Sequence, residues 1–290
     1  MSTPSIALIP SGYKEGKVYS QLPINGDGDL DFARTGTSGV PNATRVNEQG
    51  VIEDVNADVP RLDYSDGGCP VLLLESQSTN EFTYSNDFTQ SDWEKQAQGL
   101  GTIPIVTANY AISPDGTQNA SRIQFDASTS GISTDRSRIK FITTLTDGED
   151  YTQSFYLKST DGTNQKIIFL MDNSQGTVIT VTSEWQRFEF TRTQVGTSAT
   201  YGLDLRSATA SVSDILVYQG QLELGTVASS PIETNGAIAT RPADVATLDT
   251  TGLNLTTITE TFSDNSTNVI TPVPTTYTVS QGRIKEITGE

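Results

Sequence analysis

The chain has no histidine and only one cysteine, Cys69, among its 290 residues. Each absence removes a block of chemistry. Without histidine there is no Ser-His-Asp or Cys-His pair to activate a nucleophile. One cysteine cannot close a zinc site or form a disulfide within the chain. Basic residues are also scarce, 18 against 35 acidic, giving a net charge of −17. Proteins that grip phosphate backbones carry a basic footprint, and an anionic membrane repels an acidic surface. Neither nucleic acid binding nor membrane insertion is expected. No apolar run approaches the ~20 residues needed to span a bilayer. The start, Met1-Ser-Thr-Pro4, lacks the basic and apolar regions of a signal peptide. The expectation is a chain made in a cytoplasm and kept soluble by its acidity. Hydrophobic residues make up only 34%, low for one compact globule. Extended arms or oligomer contacts would account for that deficit.

Phosphate-cradling motifs are missing too. No G-x-x-x-x-G-K-[ST] segment is present, and neither Gly26-Asp-Gly28 nor Gly99-Leu-Gly101 continues into G-x-G-x-x-G. One reaction class survives these exclusions. Glycoside cleavage needs only two carboxylates about 5 to 9.5 Å apart, and with 35 acidic residues some pair at that distance arises by chance. Asp27-Gly-Asp29-Leu-Asp31 resembles the start of a calcium loop. However, Phe32 stands where an EF-hand needs glycine and Ser38 where it needs glutamate. An acidic turn is the simpler reading. No cofactor is expected, although a structural calcium ion would be compatible with these carboxylates.

What the sequence does contain is short alternating runs rich in Thr, Val, Ile, Phe and Tyr, punctuated by Gly, Asp, Asn and Ser. Tyr151–Lys158 reads as a half-buried strand. Asp161-Gly162 then reads as a hairpin turn, and Lys166–Met171 as a central strand. From Trp185 to Thr193, Trp185, Arg187 and Glu189 alternate with Gln186, Phe188 and Phe190. Asp214–Tyr218 leads into Gln221–Leu224, and strand candidates recur about every ten residues. The fold class predicted is all-β: a jelly-roll or β-sandwich core with an irregular N-terminal arm and a short C-terminal β segment.

Three regions are expected. Residues 1–68, broken by Pro10, Pro23, Pro41 and Pro60, read as an arm or attachment subdomain. Residues 69–232 hold the densest strand pattern and both tryptophans. Residues 233–290 are Thr-rich, with strand candidates at Thr275–Val279 and Arg283–Ile287, and read as an oligomer or particle contact.

Exposed aromatic rings stack on pyranose faces, so Trp93, Tyr110, Tyr156 and Trp185 are candidates by type. A strand aromatic is more often core, which favours a buried Trp185. Trp93 follows the loop-like Asn86–Asp92. The glycan-binding set chosen is Trp93 and Tyr156 for stacking and Asp172 for sugar hydroxyls. No catalytic or metal-binding residue is assigned.

Four segments in order carry a family likeness. The first is Ile9–Ser20 (IPSGYKEGKVYS) with Ala43–Asn47 (ATRVN) and Gly50–Glu53 (GVIE). The second is Val59–Tyr64 (VPRLDY) running into Cys69–Glu75 (CPVLLLE). The third is Thr79–Phe88 (TNEFTYSNDF) with Trp93 and Ser113–Thr117 (SPDGT). The fourth is Gly220–Gly225 (GQLELG), Ser230–Thr234 (SPIET) and Thr240–Asp244 (TRPAD). Over residues 9–245 this series resembles bacteriophage virion structural proteins, of fibre, spike or surface-decoration type, with a carbohydrate-binding-module-like jelly roll. Asn268–Glu290 is similar to a short C-terminal β segment of some virion proteins. The resemblance implies a non-enzymatic structural role on a head or tail, made in the host cytoplasm and localised to the virion. It implies other virion proteins and host glycans as partners, and a homo-oligomer, trimer first and dimer second. Two other readings stay open. One is a tailspike-type polysaccharide-degrading enzyme using paired carboxylates, and the other is a cellular lectin or adhesin subunit.

Overall fold

A computed structural model of the protein describes residues 4–14, 17–22, 28–171 and 174–290. Every element along them is a β-strand, and among them no helix is long and apolar enough to cross a membrane. The all-β expectation holds. The chain divides into two compact units: Thr79–Thr240, and the flanking Met1–Ser78 and Arg241–Glu290 taken together.

The flanking segments are where the sequence reading is corrected. The expected arm and tail are one β domain rather than two separate pieces. Ile6–Lys14 pairs antiparallel with Gly282–Gly289, and Leu30–Ala33 pairs with Val245–Asp249, inside a single ten-stranded sheet. The prolines do not prevent this. Pro10 lies within Ile6–Lys14 where the register with Lys17–Leu22 shifts, a position that needs no ladder N–H. Pro41 opens the strand Pro41–Val46. The core of this unit gathers Ile6, Leu8, Leu30, Phe32, Leu72 and Leu74 with Leu248, Tyr277, Ile284 and Ile287. Each strand's alternation was legible, but the partner of a strand lies in a distant part of the chain and leaves no local trace.

A buried ionic cluster joins the two segments of this unit. Asp244 Oδ1 accepts from Arg34 Nη1 at 2.8 Å, and Asp244 Oδ2 pairs with Arg61 Nη2. Arg61 Nη1 reaches Glu75 Oε2 at 2.6 Å, and Arg241 Nη2 lies 3.5 Å from the same carboxylate. The Glu75 backbone N–H also donates to Asp244 Oδ2 at 2.9 Å. Arg34, Arg61 and Asp244 are completely buried. Burial lowers the Arg34 pKa from its usual value. For Arg61 burial acts in the same direction, but the Glu75 and Asp244 carboxylates outweigh it and raise the pKa.

The second unit is a β-sandwich of two five-stranded antiparallel sheets. The front sheet runs Ser174–Val181, Gln165–Met171, Ser198–Arg206, Arg136–Thr144 and Trp93–Gln98. The back sheet runs Thr102–Ala111, Ala120–Asp126, Val212–Leu224, Asp150–Ser159 and Gln186–Thr193. Sequential strands mostly fall in different sheets, as in a jelly roll. Asp161-Gly162 is therefore not the hairpin turn expected: the strands it joins belong to opposite sheets. Turn chemistry reports a chain reversal, not the next strand's partner. Between the sheets, Phe155, Leu157 and Val217 meet Phe141, Phe169 and Leu203. Gln153, fully buried, bridges the layers: its Nε2 donates to Leu170 O at 2.9 Å, and its Oε1 accepts from Gly202 N at 3.1 Å.

Removing one partner of a buried ion pair strands its cations without compensation, at a cost of about 3–5 kcal/mol. Asp244→Ala is expected to lower unfolding free energy by about that amount, read by urea denaturation. A loss below about 1 kcal/mol, the scale of an exposed ion pair, would show that the cluster is not a structural centre.

Candidate functional site

Of the three residues chosen from sequence, the two that the structure describes, Trp93 and Tyr156, do not share a site. Trp93 opens the outermost strand of the front sheet but points inward and is completely buried. Its ring lies 4.7 Å from Phe82, 5.0 Å from Phe88 and 5.5 Å from Phe141. Its indole N–H donates to Tyr84 O at 2.8 Å. It is a core anchor and offers no face to a sugar, which corrects its choice as a stacking platform. Tyr156 is half-buried on the outer face of the back sheet, where the Arg187 guanidinium lies 5.4 Å over its ring and Tyr218 sits 5.9 Å away. Asp172 lies outside the described residues, as does Asp27 of the acidic turn. Among the described residues no cluster of three His, Cys, Asp or Glu could hold a metal ion.

The other aromatics also belong to the back sheet. Tyr110 is exposed, with the Arg122 guanidinium 5.0 Å over its ring. Trp185, expected in the core, is half-buried, and its indole N–H donates to Ile112 O at 3.2 Å. The alternation read in this strand is otherwise correct, since Phe188 and Phe190 pack on the core.

Two segments cover much of the back sheet's outer face. Residues 112–119 close one end. There Tyr218 Oη donates to Asp115 Oδ2 at 3.2 Å, and Asp115 also accepts from Ser113, Thr117 and Asn119. Burial alone would raise the Asp115 pKa, but these donors hold it below the usual carboxylate range. Residues 226–234 cross the other end. Gln221 Nε2 donates to Ser229 O and Ser230 O, Arg187 Nη1 to Ser229 O, and Gln219 Nε2 to Ile232 O. The Ser-Pro-Asp-Gly-Thr and Ser-Pro-Ile-Glu-Thr motifs thus serve as covers held by the sheet.

The front sheet differs. Its strands Arg136–Thr144 and Ser198–Arg206 pair without a register shift, with Ile139, Phe141, Leu203 and Leu205 in the core, so Arg136, Arg138, Lys140, Asp204 and Arg206 point outward. Backbone register aligns them. Lys140 stands between Glu94 and Gly202, Arg138 between Gln96 and Asp204, and Arg136 between Gln98 and Arg206. The polar contacts of Arg138, Lys140 and Asp204 stay within the sheet. Arg138 Nε donates to Gln96 Oε1 at 2.6 Å, Lys140 Nζ lies 3.3 Å from Glu94 Oε1, and Arg206 Nε lies 2.8 Å from Asp204 Oδ2. Arg138 and Lys140 are each only 8% exposed and Asp204 is fully buried. These long side chains are therefore packed down on the sheet rather than standing in solvent. A Cβ on Gly202 would lie 2.3 Å from Ile139 O, so glycine is required on the floor of this face. Burial, and then the neighbouring Arg136 guanidinium, lower the Arg138 pKa from its usual value.

Sequence reasoning overlooked this face because it searched for aromatic rings. A signal was present: Arg136-Ser-Arg-Ile-Lys140 places three cations at alternate positions.

No family model and no curated protein matches the chain. Several solved structures are similar to parts of it. The CBM22-1 xylan-binding domain of Paenibacillus barcinonensis Xyn10C is 16% identical with a TM-score of 0.35, over 52% of this chain and 94% of that one. A family 11 carbohydrate-binding module of Clostridium thermocellum, in complex with a β-1,3-1,4-mixed-linked tetrasaccharide, is 12% identical with a TM-score of 0.35, over 53% and 99%. The enzymatically active domain of bacteriophage CBA120 tailspike protein 4 is 14% identical with a TM-score of 0.32, over 50% and 21%. At these identities and scores, none assigns a ligand or an activity to this chain.

The two tryptophans should separate in their stability effects. Trp93→Ala is expected to cost about 3–5 kcal/mol, as for other large core truncations. Trp185→Ala should cost about 1 kcal/mol, the worth of one hydrogen bond on a half-buried surface. Thermal unfolding followed by circular dichroism checks both, and equal costs would contradict the placement of Trp93.

Proposed function

We propose that the protein is a non-enzymatic glycan-binding component of a bacteriophage particle, holding a polysaccharide across the outer face of the front sheet. The observation that carries this reading is the contrast between the two faces of one sandwich. The back face is crossed by residues 112–119 and 226–234 through side-chain contacts, whereas the front-face bonds of Arg138, Lys140 and Asp204 are made within their own sheet. Polar groups repeat across three neighbouring strands at about 4.8 Å spacing, which suits an extended polymer better than a small metabolite. Guanidinium, amide and ammonium groups in register rows offer several donors to successive sugar hydroxyls.

A binding role without turnover is supported by the state of the face's carboxylates. Asp204 is fully buried and paired with Arg206, and Glu94 pairs with Lys140. Neither is a free acid poised over an open site. The particle setting rests on the ordered likeness of residues 9–245 to virion proteins. In this setting the copies assemble as homo-oligomers, with a trimer expected by light scattering.

Affinity electrophoresis of the purified chain in gels containing host-surface polysaccharide tests the binding role. Gln96→Ala and Lys140→Ala should each weaken retardation about five- to tenfold, the worth of one polar contact, with no reducing ends released. Unchanged retardation in both variants, or release of oligosaccharides, would sink this reading. Mass spectrometry of purified particles tests the setting, and absence of the chain would remove it.

A further inference from the structure

The front face has a sign opposite to the molecule that carries it. The chain holds 18 basic and 35 acidic residues. Yet the described strands of the front sheet direct Arg136, Arg138, Lys140, Lys166 and Arg206 to this face, against only Glu94 and Asp204. The cations concentrate on neighbouring strands. Arg136 is directly opposite Arg206, and Arg138 is flanked along its own strand by Arg136 and Lys140.

These charges are incompletely neutralised from within. The Arg136 side chain makes no hydrogen bond or ion pair among the described residues, and its Nε is buried without a partner. Arg138 is bonded to the neutral amide of Gln96, not to a carboxylate. Asp204 gives one oxygen to Arg206, while its other oxygen, Oδ1, is buried and has no hydrogen-bond partner. Like charges packed this closely oppose one another, and burial strengthens that repulsion. An anion delivered to Arg136 and Arg138 relieves it and satisfies donors that the fold leaves unused.

Resting on the glycan reading above, we infer that the front face selects polysaccharides bearing carboxylates, a uronate- or sialate-containing polymer, with Arg136 as the principal contact to the acid group. The planar fork of a guanidinium matches a carboxylate in two parallel hydrogen bonds. The rest of the molecule restricts the class further. Its net charge of −17 repels a dense polyanion such as duplex nucleic acid, with about one charge per 1.7 Å. Charges spaced one per sugar or wider leave each acid group within the local basic field. That field reaches about 8 Å at physiological salt.

The test uses the full chain and a panel of polygalacturonate, alginate, hyaluronan and polysialic acid, each paired with its carboxyl-reduced neutral counterpart. Binding is read by calorimetry at about 50 mM and about 200 mM salt. At least one acidic polymer is expected to bind ten times or more tightly than its reduced form, and to weaken as salt rises. Arg136→Ala should reduce that preference about tenfold, with Arg136→Lys recovering part of it. Lys158→Ala, on the back sheet, should change nothing. Because the Arg136 side chain makes no hydrogen bond among the described residues, loss of binding in its variant is separable from misfolding by an unchanged melting temperature. Equal binding of acidic and reduced polymers would overturn the acid preference and leave the glycan reading standing. Binding of neither set would overturn both. Tighter binding of dextran sulfate or single-stranded DNA than of every carboxylated polymer, with the same dependence on Arg136, would overturn the choice of a carboxylate.

Discussion

The fully buried Asp244 carboxylate is the interaction on which the flanking β domain depends. It receives Arg34 and Arg61 from the N-terminal segment and the backbone N–H of Glu75. Asp244 itself belongs to the C-terminal segment, just after the sandwich leaves the chain at Thr240. A buried charge must be matched, because desolvation costs several kcal/mol per ion. The match exists only when the two segments of the domain come together. Strands such as Ile6–Lys14 and Gly282–Gly289 can then pair although 162 residues of another unit separate the segments.

Inside the sandwich the same logic operates through neutral groups. Asn80 is fully buried, donates to Gly220 O and Ile232 O, and accepts from Leu222 N. It fixes the entry of the unit to its last long strand. Gln153 bridges the two sheets in the same way. Such satisfied polar links in an apolar core specify one arrangement where apolar packing alone would tolerate several. With layers and ends fixed, the two outer faces become unequal: loops are bonded over the back sheet, whereas the charged rows of the front sheet bond to one another.

Several of the segments singled out in order along the sequence supply the buried links of the fold. Val59-Pro-Arg-Leu-Asp-Tyr64, Cys69–Glu75 and Thr240-Arg-Pro-Ala-Asp244 supply Arg61, Glu75, Arg241 and Asp244 to one buried cluster. Thr79–Phe88, Gly220–Gly225 and Ser230–Thr234 supply the Asn80 and Gln221 links and the Phe82–Trp93 contact. These motifs hold the fold, and none of them supplies the outward cations of the front face.

The sequence by itself determined the class of structure and the excluded chemistry. Alternation with a period of two, turn residues at short intervals and the absence of histidine are local properties of the chain, and they reach the structure unchanged. The strands around Tyr151, Lys166, Trp185 and Asp214 stand where alternation placed them. Only the tertiary structure decided which strand pairs with which, and hence that the two ends form one domain and that Asp161-Gly162 joins opposite sheets. It also decided that Trp93 is core, because a ring beside a loop-like segment is buried or exposed according to what packs on it from elsewhere. The front face shows the same division. The alternate cations of Arg136–Lys140 are visible in the sequence, but the register that adds Arg206 from another strand is fixed by pairing across the sheet. Charge proximity depends on distance in space, and a single chain's order does not contain it.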